Sequence, residues 1–355
     1  MGEYKKIFDF ERKPDFQRLV KTLFGKKADA VPLIELGIDP SIKEKISGHP
    51  LQTVADDIQF MRSMGYDFIK IQPAIQFQTN RQLMPKSIGA TSNQPAPDRA
   101  WAAEHEGIIS NWEDFEKYPW PRTEDIDYSR FEQARGILPD NMGIIGQYGD
   151  IYTTVWEMMG FENFAMAIYE QPDLVEALFH RVSELILSMF RTMTDMDWVG
   201  VIWYSDDIAY SSGLMVAPEF LRSHFFPLLH KIGERCASRK IPFIYHTDGV
   251  LWDVFDDIIK SGVTAIHPIE PKSMNIREVK QKFGNQLCLC GGIEVDVLAR
   301  GSVEEVRDLV QKYITEIAPG GGYCLGSSNS IPEYVKAENY LAMVETGLRI
   351  GKYKD

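Results

Sequence analysis

The sequence has little of what secreted, membrane or nucleic-acid-binding proteins need. Only 4 cysteines occur in 355 residues, too few for a disulfide framework, so a reducing cytoplasmic location is expected. No run of about 18 apolar residues exists and the N-terminus has no apolar signal segment, so neither a membrane span nor export is expected. The 38 Lys and Arg against 51 Asp and Glu give a net charge of −13, which argues against nucleic acid as a partner.

A dinucleotide fingerprint is also missing, because no Gly-x-Gly-x-x-Gly follows the first apolar run. What the chain does have is a repeated design of short apolar runs that end in polar residues or glycine. Parallel strands that are buried on both faces have this appearance. The eight runs are Val31–Gly37, Phe68–Pro73, Met142–Gly149, Val199–Asp207, Ile241–Gly249, Ala265–Pro271, Leu287–Ile293 and Tyr323–Ser328.

Segments with helical periodicity separate most of these runs. Asp173–Met196 carries an apolar stripe, and Val303–Ile317 follows Ser302 and Glu305, which have the spacing of a capping box. Eight strands that alternate with helices predict a (β/α)8 TIM barrel, with residues 1–355 as a single domain. A doubly wound open sheet is the alternative.

One connection is longer than an ordinary loop. Residues 74–140 separate the second run from the third, and their first part, Gln76–Ala100, is rich in proline and glutamine. Ser110 and Glu113 have the spacing of another capping box. Because long insertions in barrels are usually lids or binding loops, this insertion between strands 2 and 3 is expected to cover the active site.

Polar residues at the ends of the runs are the candidate active-site residues, since a barrel builds its active site where the strands end. His246 and Asp248 are two residues apart, so their side chains point the same way in an extended segment. An imidazole beside a carboxylate can bind a metal or move a proton. The catalytic candidates are His246, Asp248 and Glu35, and the substrate-binding candidates are Gln147, Tyr148, Asp206, Asp207, Glu270, Glu294, Ser328 and Asn329.

The cysteines divide into core residues and one ligand candidate. Cys288 and Cys290 alternate with leucines inside one run, and Cys236 lies in a helical segment, so packing is expected for all three. Cys324 lies in the last run, near enough to its end to be a thiolate ligand. The metal site of this hypothesis consists of His246, Asp248 and Cys324.

Several motifs together resemble the uroporphyrinogen decarboxylase superfamily, whose fold is a (β/α)8 barrel. The likeness extends from Ala30 to Val344. The motifs are Asp114–Pro121 (DFEKYPWP), Asp206–Ile208 (DDI) with Pro218–Phe220 (PEF), His246–Gly249 (HTDG), Ile269–Pro271 (IEP), Leu289–Glu294 (LCGGIE) and Gly320–Pro332 (GGGYCLGSSNSIP).

Within that superfamily the residues favour the corrinoid-dependent methyltransferases over the decarboxylases. Decarboxylases carry an arginine-rich segment after the first strand, where this chain has Glu35–Pro40 and no arginine. Methyltransferases that use thiols bind zinc through His-x-Cys and a distant Cys. Here His246-x-Asp248 and Ser328 stand at the corresponding places, which makes thiol methylation less expected.

The resemblance therefore implies the demethylating component of an O-demethylase. Such an enzyme moves a methyl group from an aromatic methyl ether to Co(I) cobalamin, which a small corrinoid protein carries as a transient partner. His246, Asp248, Glu35 and Glu294 are expected to supply a general acid or to hold a zinc ion. Aromatic side chains are expected to pack against a planar substrate: Trp101, Trp120, Tyr148, Trp203 and Tyr204. The alternatives are a decarboxylase-like lyase, a methyltransferase acting on a thiol or amine, a metal-dependent hydrolase and a tetrapyrrole-binding protein.

Overall fold

The computed structural model describes residues 8–9, 12–75, 77, 81–83, 100–102 and 107–353. Apolar runs form its strands, as expected for segments buried on both sides. The strands are β1 Phe68–Ile71, β2 Arg81–Leu83, β3 Ala100–Ala102, β4 Gly143–Gly149, β5 Val199–Ser205, β6 Ala209–Tyr210, β7 Gly213–Leu214, β8 Phe243–His246, β9 Ala265–His267, β10 Cys288–Cys290 and β11 Tyr323–Cys324.

Seven of these strands form one parallel sheet in the order β1-β4-β5-β8-β9-β10-β11, while β2–β3 and β6–β7 are antiparallel pairs. The order in the sheet follows the order in the chain. A doubly wound sheet reverses its strand order at a switch point, and this sheet has no such reversal. The fold is the predicted (β/α)8 barrel, and the open-sheet alternative is wrong.

The first apolar run pairs with the last strand of the sheet without forming a regular strand. Leu33 makes a parallel bridge to Leu325, where Ile34 N–H donates to Leu325 O (2.8 Å) and Leu325 N–H donates to Pro32 O (2.9 Å). Pro32 has no N–H to donate, so a continuous ladder cannot form there. The segment nevertheless takes the position beside β11, which brings Glu35 to the mouth.

Helices enclose the sheet. Two predicted helices are confirmed with shifts of one residue, and Ser302 and Glu305 form the predicted capping box. Among the described helices, none is long and apolar enough to cross a membrane. The helices are α1 Phe16–Leu23, α2 Pro40–Ser47, α3 Val54–Ser63, α4 Trp112–Lys117, α5 Ser129–Ile137, α6 Ile151–Met159, α7 Phe161–Glu170, α8 Pro172–Asp195, α9 Pro218–Phe220, α10 Phe226–Arg239, α11 Phe255–Lys260, α12 Ile276–Phe283, α13 Val295–Arg300, α14 Val303–Glu316 and α15 Ala337–Ile350.

The insertion is described only in part. Its helix α4 is capped by Asn111, whose side chain accepts from Asp114 N–H (3.1 Å), so the cap predicted at Ser110 and Glu113 is wrong by one residue. Asn caps helices as well as Ser does, and Asp at the third helical position completes the turn. Most of Gln76–Ala100 and the side chain of Trp101 lie outside the described residues, so a cover over the active site stays a prediction.

Side-chain alternation along the strands separates the barrel interior from the helix layer. On β5, Trp203 points inward, and its ring centroid lies 5.0 Å from that of His267. The next residue, Tyr204, points outward, with its ring 5.7 Å from Phe190 and 6.2 Å from Phe225. The same alternation decides which polar residues near the strand ends face the mouth.

Candidate active site

His246 lies at the end of β8 and is bonded to a second histidine on the next strand. His246 Nδ1 is 2.8 Å from Nδ1 of His267, and both rings are buried. Burial lowers the pKa of His246 and lowers that of His267 well below its usual range, so both rings are neutral near pH 7. One ring must donate and the other accept, so the tautomer of His267 sets that of His246. Nε2 of His246 is left facing Asp207, 3.8 Å from its Oδ1.

Asp248 follows two residues later, and the pKa of its carboxyl group is strongly raised. Its Oδ2 accepts from Asn329 Nδ2 (2.7 Å), whereas its Oδ1 is buried without a hydrogen-bond partner. Burial, together with the charges of Asp207 and Glu270, raises the pKa of Asp248 to about 8. Asp248 therefore carries a proton near pH 7 and can donate it from the mouth of the barrel.

Gly249 holds this turn in place. Its φ is +88°, and a Cβ atom would lie 2.6 Å from the backbone of Ala209 and Tyr210. Only glycine adopts this conformation at so close an approach without strain. Gly249 N–H donates to Glu270 Oε2 (3.3 Å), which ties the turn to the segment after β9.

Glu35 lies on the opposite side of the mouth, in a closed network with the last strand-end segment. It is 2% exposed, and it accepts hydrogen bonds from the backbone N–H (3.0 Å) and the hydroxyl (2.6 Å) of Ser327. Burial raises the pKa of Glu35 to about 8, while the charge of Lys70 acts in the opposite direction. Each carboxyl oxygen accepts from Ser327, so Glu35 holds the last strand-end segment at this side of the mouth.

Glu35 is expected to make stability pH-dependent. The ordinary pKa of 4.5 applies to the unfolded chain and about 8 to the folded chain, so between these values only the folded chain keeps the proton. This group therefore lowers the free energy of unfolding as pH rises, by up to about 1.4 kcal/mol per pH unit. Relative to the native protein, Glu35→Gln should gain stability from about pH 5 to about pH 8 in urea unfolding. Glu44→Gln, at an exposed site, is the control; a pH-independent difference for E35Q would be evidence against this assignment.

Asp206 has a different environment from the other carboxylates. It is buried on the outward side of the barrel, where it accepts from the N–H groups of Tyr152 (2.6 Å) and Thr153 (2.9 Å) and from the hydroxyl of Tyr204 (2.5 Å). Burial raises its pKa to about 7. Through these contacts Asp206 holds the first turn of α6 to β5, because the first N–H groups of a helix need acceptors.

Asp206→Ala should therefore destabilise the fold. It leaves three buried donors without an acceptor, at about 1–3 kcal/mol each, so we expect a loss of about 3–9 kcal/mol in urea unfolding. Asp207→Ala is the matched control, since Asp207 is 49% exposed and loses only the bond from Asp248 N–H. A similar, small loss for both variants would show that Asp206 is not structural.

The two predicted residues on β4 point to opposite sides. Gln147 points into the barrel, where it bonds Gln72 and donates to Ser205 Oγ (2.9 Å). Tyr148 comes next in the strand and so faces away from the interior. Of this pair, only Gln147 joins the polar residues of the interior.

Four of the predicted substrate-binding residues line one cavity at the mouth. The cavity measures about 840 Å³, within the usual range for a small-molecule site. Among the described residues of its wall, Lys272 is the only cation and is paired with Asp296, whereas Asp39, Glu270, Glu294 and Glu333 make the wall acidic. Asn329 links the cavity to Asp248 through their hydrogen bond. The four predicted residues in the wall are Glu270, Glu294, Ser328 and Asn329.

A metal ion would find its ligands in Asp207, His246 and Asp248. One ligand atom from each of these residues lies within 4.8 Å of the others. Three N and O ligands with an open fourth position are typical of catalytic zinc sites, and the unpartnered Oδ1 of Asp248 suits a ligand. Cys324 is not in this group, because its thiol lies beside those of Cys288 and Cys290. The structure thus separates Cys324 from His246 and Asp248.

Two residues at the site were missed in the sequence. His267 pairs in register with His246, whereas the run Ala265–Pro271 predicts Glu270 as its polar end. Pro268, which has no N–H, ends the strand three residues earlier and was the available signal. Lys70, inside β1, is the second of these residues. Its Nζ lies 5.1 Å from the ring centroid of Trp203, and burial lowers its pKa to about 7.

Comparison with known proteins shows the family of the chain. The family model of uroporphyrinogen decarboxylase matches residues 102–349, about two thirds of the chain. The chain belongs to the uroporphyrinogen decarboxylase family. A family of enzymes with a barrel fold supports an enzymatic role for the mouth. Among curated proteins, none matches the sequence significantly.

A solved structure resembles this member of the uroporphyrinogen decarboxylase family in fold. It is a methyltransferase from Methanosarcina mazei, with a TM-score of 0.63 and 16% sequence identity. The alignment covers 94% of this chain and 97% of the other. The likeness therefore extends over the whole barrel.

Proposed function

We propose that this protein demethylates an aromatic methyl ether and transfers the methyl group to Co(I) of a corrinoid carried by a partner protein. One observation carries the proposal: the carboxyl of Asp248 lies beside His246 at the mouth, with a buried, unpartnered Oδ1. A protonated carboxyl group without a hydrogen-bond partner can act as a general acid. The ether oxygen of a bound substrate would be that acceptor.

In the proposed reaction, Co(I) attacks the methyl carbon and the bond between that carbon and the ether oxygen breaks. The electron pair of the broken bond stays on the oxygen, and a phenolate is a poor leaving group. Asp248 gives its proton to this oxygen as the bond breaks, so that a neutral phenol leaves. The products are a phenol and methyl-Co(III). One ring nitrogen of His246 lies within 4.8 Å of a carboxylate oxygen of both Asp248 and the half-exposed Asp207, so His246 can return a proton from water to Asp248.

A zinc ion held by Asp207, His246 and Asp248 would act as a Lewis acid on the same oxygen. Metal analysis of the purified protein distinguishes the two versions. In both of them His246 and Asp248 are required, and the Asn329 bond to Asp248 fixes the carboxyl.

The cavity wall suggests which ethers bind. Glu270 and Glu294 accept hydrogen bonds from ring hydroxyl groups but repel a carboxylate substituent. Trp203 lies in the interior of the barrel, 0% exposed, and supplies an apolar floor beside His267. A methoxyphenol therefore fits better than a methoxybenzoate.

Two observations support methyl transfer over decarboxylation: the small number of cations in the cavity wall and the likeness to a methyltransferase. A substrate with many carboxylates needs several cations in the cavity. In the described residues of the cavity wall, Lys272 is the only cation, and its charge is engaged by Asp296. The similar barrel from Methanosarcina mazei is itself a methyltransferase.

The test is to mix the protein with reduced cobalamin and a panel of methoxybenzenes and to follow the cobalt absorbance. We expect methyl-Co(III) to form with methoxyphenols and more slowly with methoxybenzoates. Methylated amines and thiols belong in the same panel, since turnover of either would replace the ether as donor. If no donor yields methyl-Co(III) and the protein releases CO2 from uroporphyrinogen, the protein is a decarboxylase and the proposal is wrong.

A further inference from the structure

A cluster of three thiols lies on β10 and β11, on the face of the sheet that also carries His267, and forms a group separate from Asp207, His246 and Asp248. Cys288 and Cys290 lie on β10, and Cys324 lies on the neighbouring β11, where its Cα pairs with that of Cys290. All three side chains are 0% exposed. The sulfur atoms of Cys288 and Cys324 are 3.8 Å apart, and the three sulfurs lie within 4.8 Å of one another. We call these residues the thiol triad.

The spacing suits a metal ion. Three thiolates bound at about 2.3 Å to one ion lie about 3.8–4.0 Å from each other. The Cys288–Cys324 pair already has this separation, and the other two contacts need to contract by no more than about 1 Å. Among the described residues, no fourth His, Cys, Asp or Glu joins the group. Sulfur is a soft ligand, so a site of three thiolates selects thiophilic ions over Mg²⁺ or Ca²⁺, which prefer oxygen ligands.

Positive charge stands at the amino-terminal end of the same two strands. Lys280 Nζ donates to the carbonyl oxygens of Gly321 (2.6 Å) and Gly322 (3.2 Å). Gly322 O also accepts from Leu289 N–H, between the two cysteines of β10. The ammonium group of Lys280 acts electrostatically on Cys288 and offsets part of the negative charge that three thiolates around one ion retain.

We propose that the thiol triad is a binding site for a soft d10 cation, such as Cu(I) or Zn²⁺, that links β10 to β11. The ion displaces the thiol protons and does not take part in the chemistry at the mouth. Because the sulfurs are fully buried, the ion enters while the chain folds or through slow opening of the barrel. The site is independent of the proposed methyl transfer.

Cd²⁺ is the probe, since thiolates bound to it give an ultraviolet charge-transfer band. The full chain is refolded under reducing conditions with increasing Cd²⁺, and folding is checked by circular dichroism. We expect one equivalent to bind with the sulfur band and with proton release. Cys288→Ser and Cys324→Ser should each lower the affinity at least about a hundredfold, because loss of an outer-shell partner alone costs about 10–100-fold.

Two controls make the result specific. Cys236→Ser removes a buried thiol on α10 outside the triad and should leave the band unchanged. His246→Ala removes a ligand of the mouth site and should also leave it unchanged. Where a serine variant does not fold, Cys290→Ala tests the same site with an apolar side chain. A refolded native protein without the band, or a band that survives in the triad variants, overturns the proposal.

Discussion

Asp248→Asn is expected to lower the rate of methyl transfer by about a hundredfold to ten-thousandfold, the usual contribution of a general acid. Asparagine has the shape of aspartate and keeps an oxygen to accept from Asn329 Nδ2, so the turn should survive. It has no acidic proton for the leaving oxygen. The loss should appear mainly in kcat, because proton transfer occurs in the transition state and not on binding.

The control for this variant is Asp253→Asn, an exposed residue before α11. It should retain native activity. The D248N protein should keep the native circular dichroism spectrum and unfold at a similar urea concentration. Near-native turnover by a correctly folded D248N protein would remove Asp248 from the mechanism.

His246→Ala is the second large expected effect, with a loss of at least about a hundredfold. The ring is held at Nδ1 by His267 and presents Nε2 towards Asp207 and Asp248. Its removal breaks the path that returns a proton to Asp248 and leaves His267 Nδ1 unpaired in a buried position. The second effect should also cost about 1–3 kcal/mol of stability.

His230→Ala provides the comparison, because His230 is half exposed on α10 and contacts Glu234 and Lys260 O. Steady-state rates and urea unfolding should be measured on both variants. A loss of stability in H246A without a loss of rate would make His246 a structural residue only.

The sequence predicted the barrel well because burial on both faces leaves an unmistakable pattern. The continuous apolar runs predicted the seven strands of the sheet, and they placed His246 and Asp248 at the end of one of them. The pattern does not record hydrogen bonding, so Val31–Gly37 looked like a strand although Pro32 interrupts its ladder. The cap of α4 is Asn111 and not the predicted Ser110, because both residue types cap helices and the sequence does not distinguish them.

The site was harder to predict because side-chain direction depends on where a strand ends. Asp206 and Asp207 are adjacent in sequence, yet one holds α6 from the outward side and the other faces His246. The sequence predicts Cys324 near the mouth, but its thiol lies beside those of Cys288 and Cys290. A pairing such as His246 with His267 joins residues 21 positions apart, and only the register of β8 and β9 shows it.

The most direct measurement is the dependence of rate on the acidity of the leaving phenol. Methoxybenzenes with increasing numbers of fluorine substituents release phenols of decreasing pKa, which need less help from an acid. If Asp248 protonates the oxygen, the native protein should show a shallow dependence and D248N a steep one, with the two rates converging for the most acidic phenols. Parallel lines for the two proteins, or no methyl-Co(III) from any ether, would contradict the account.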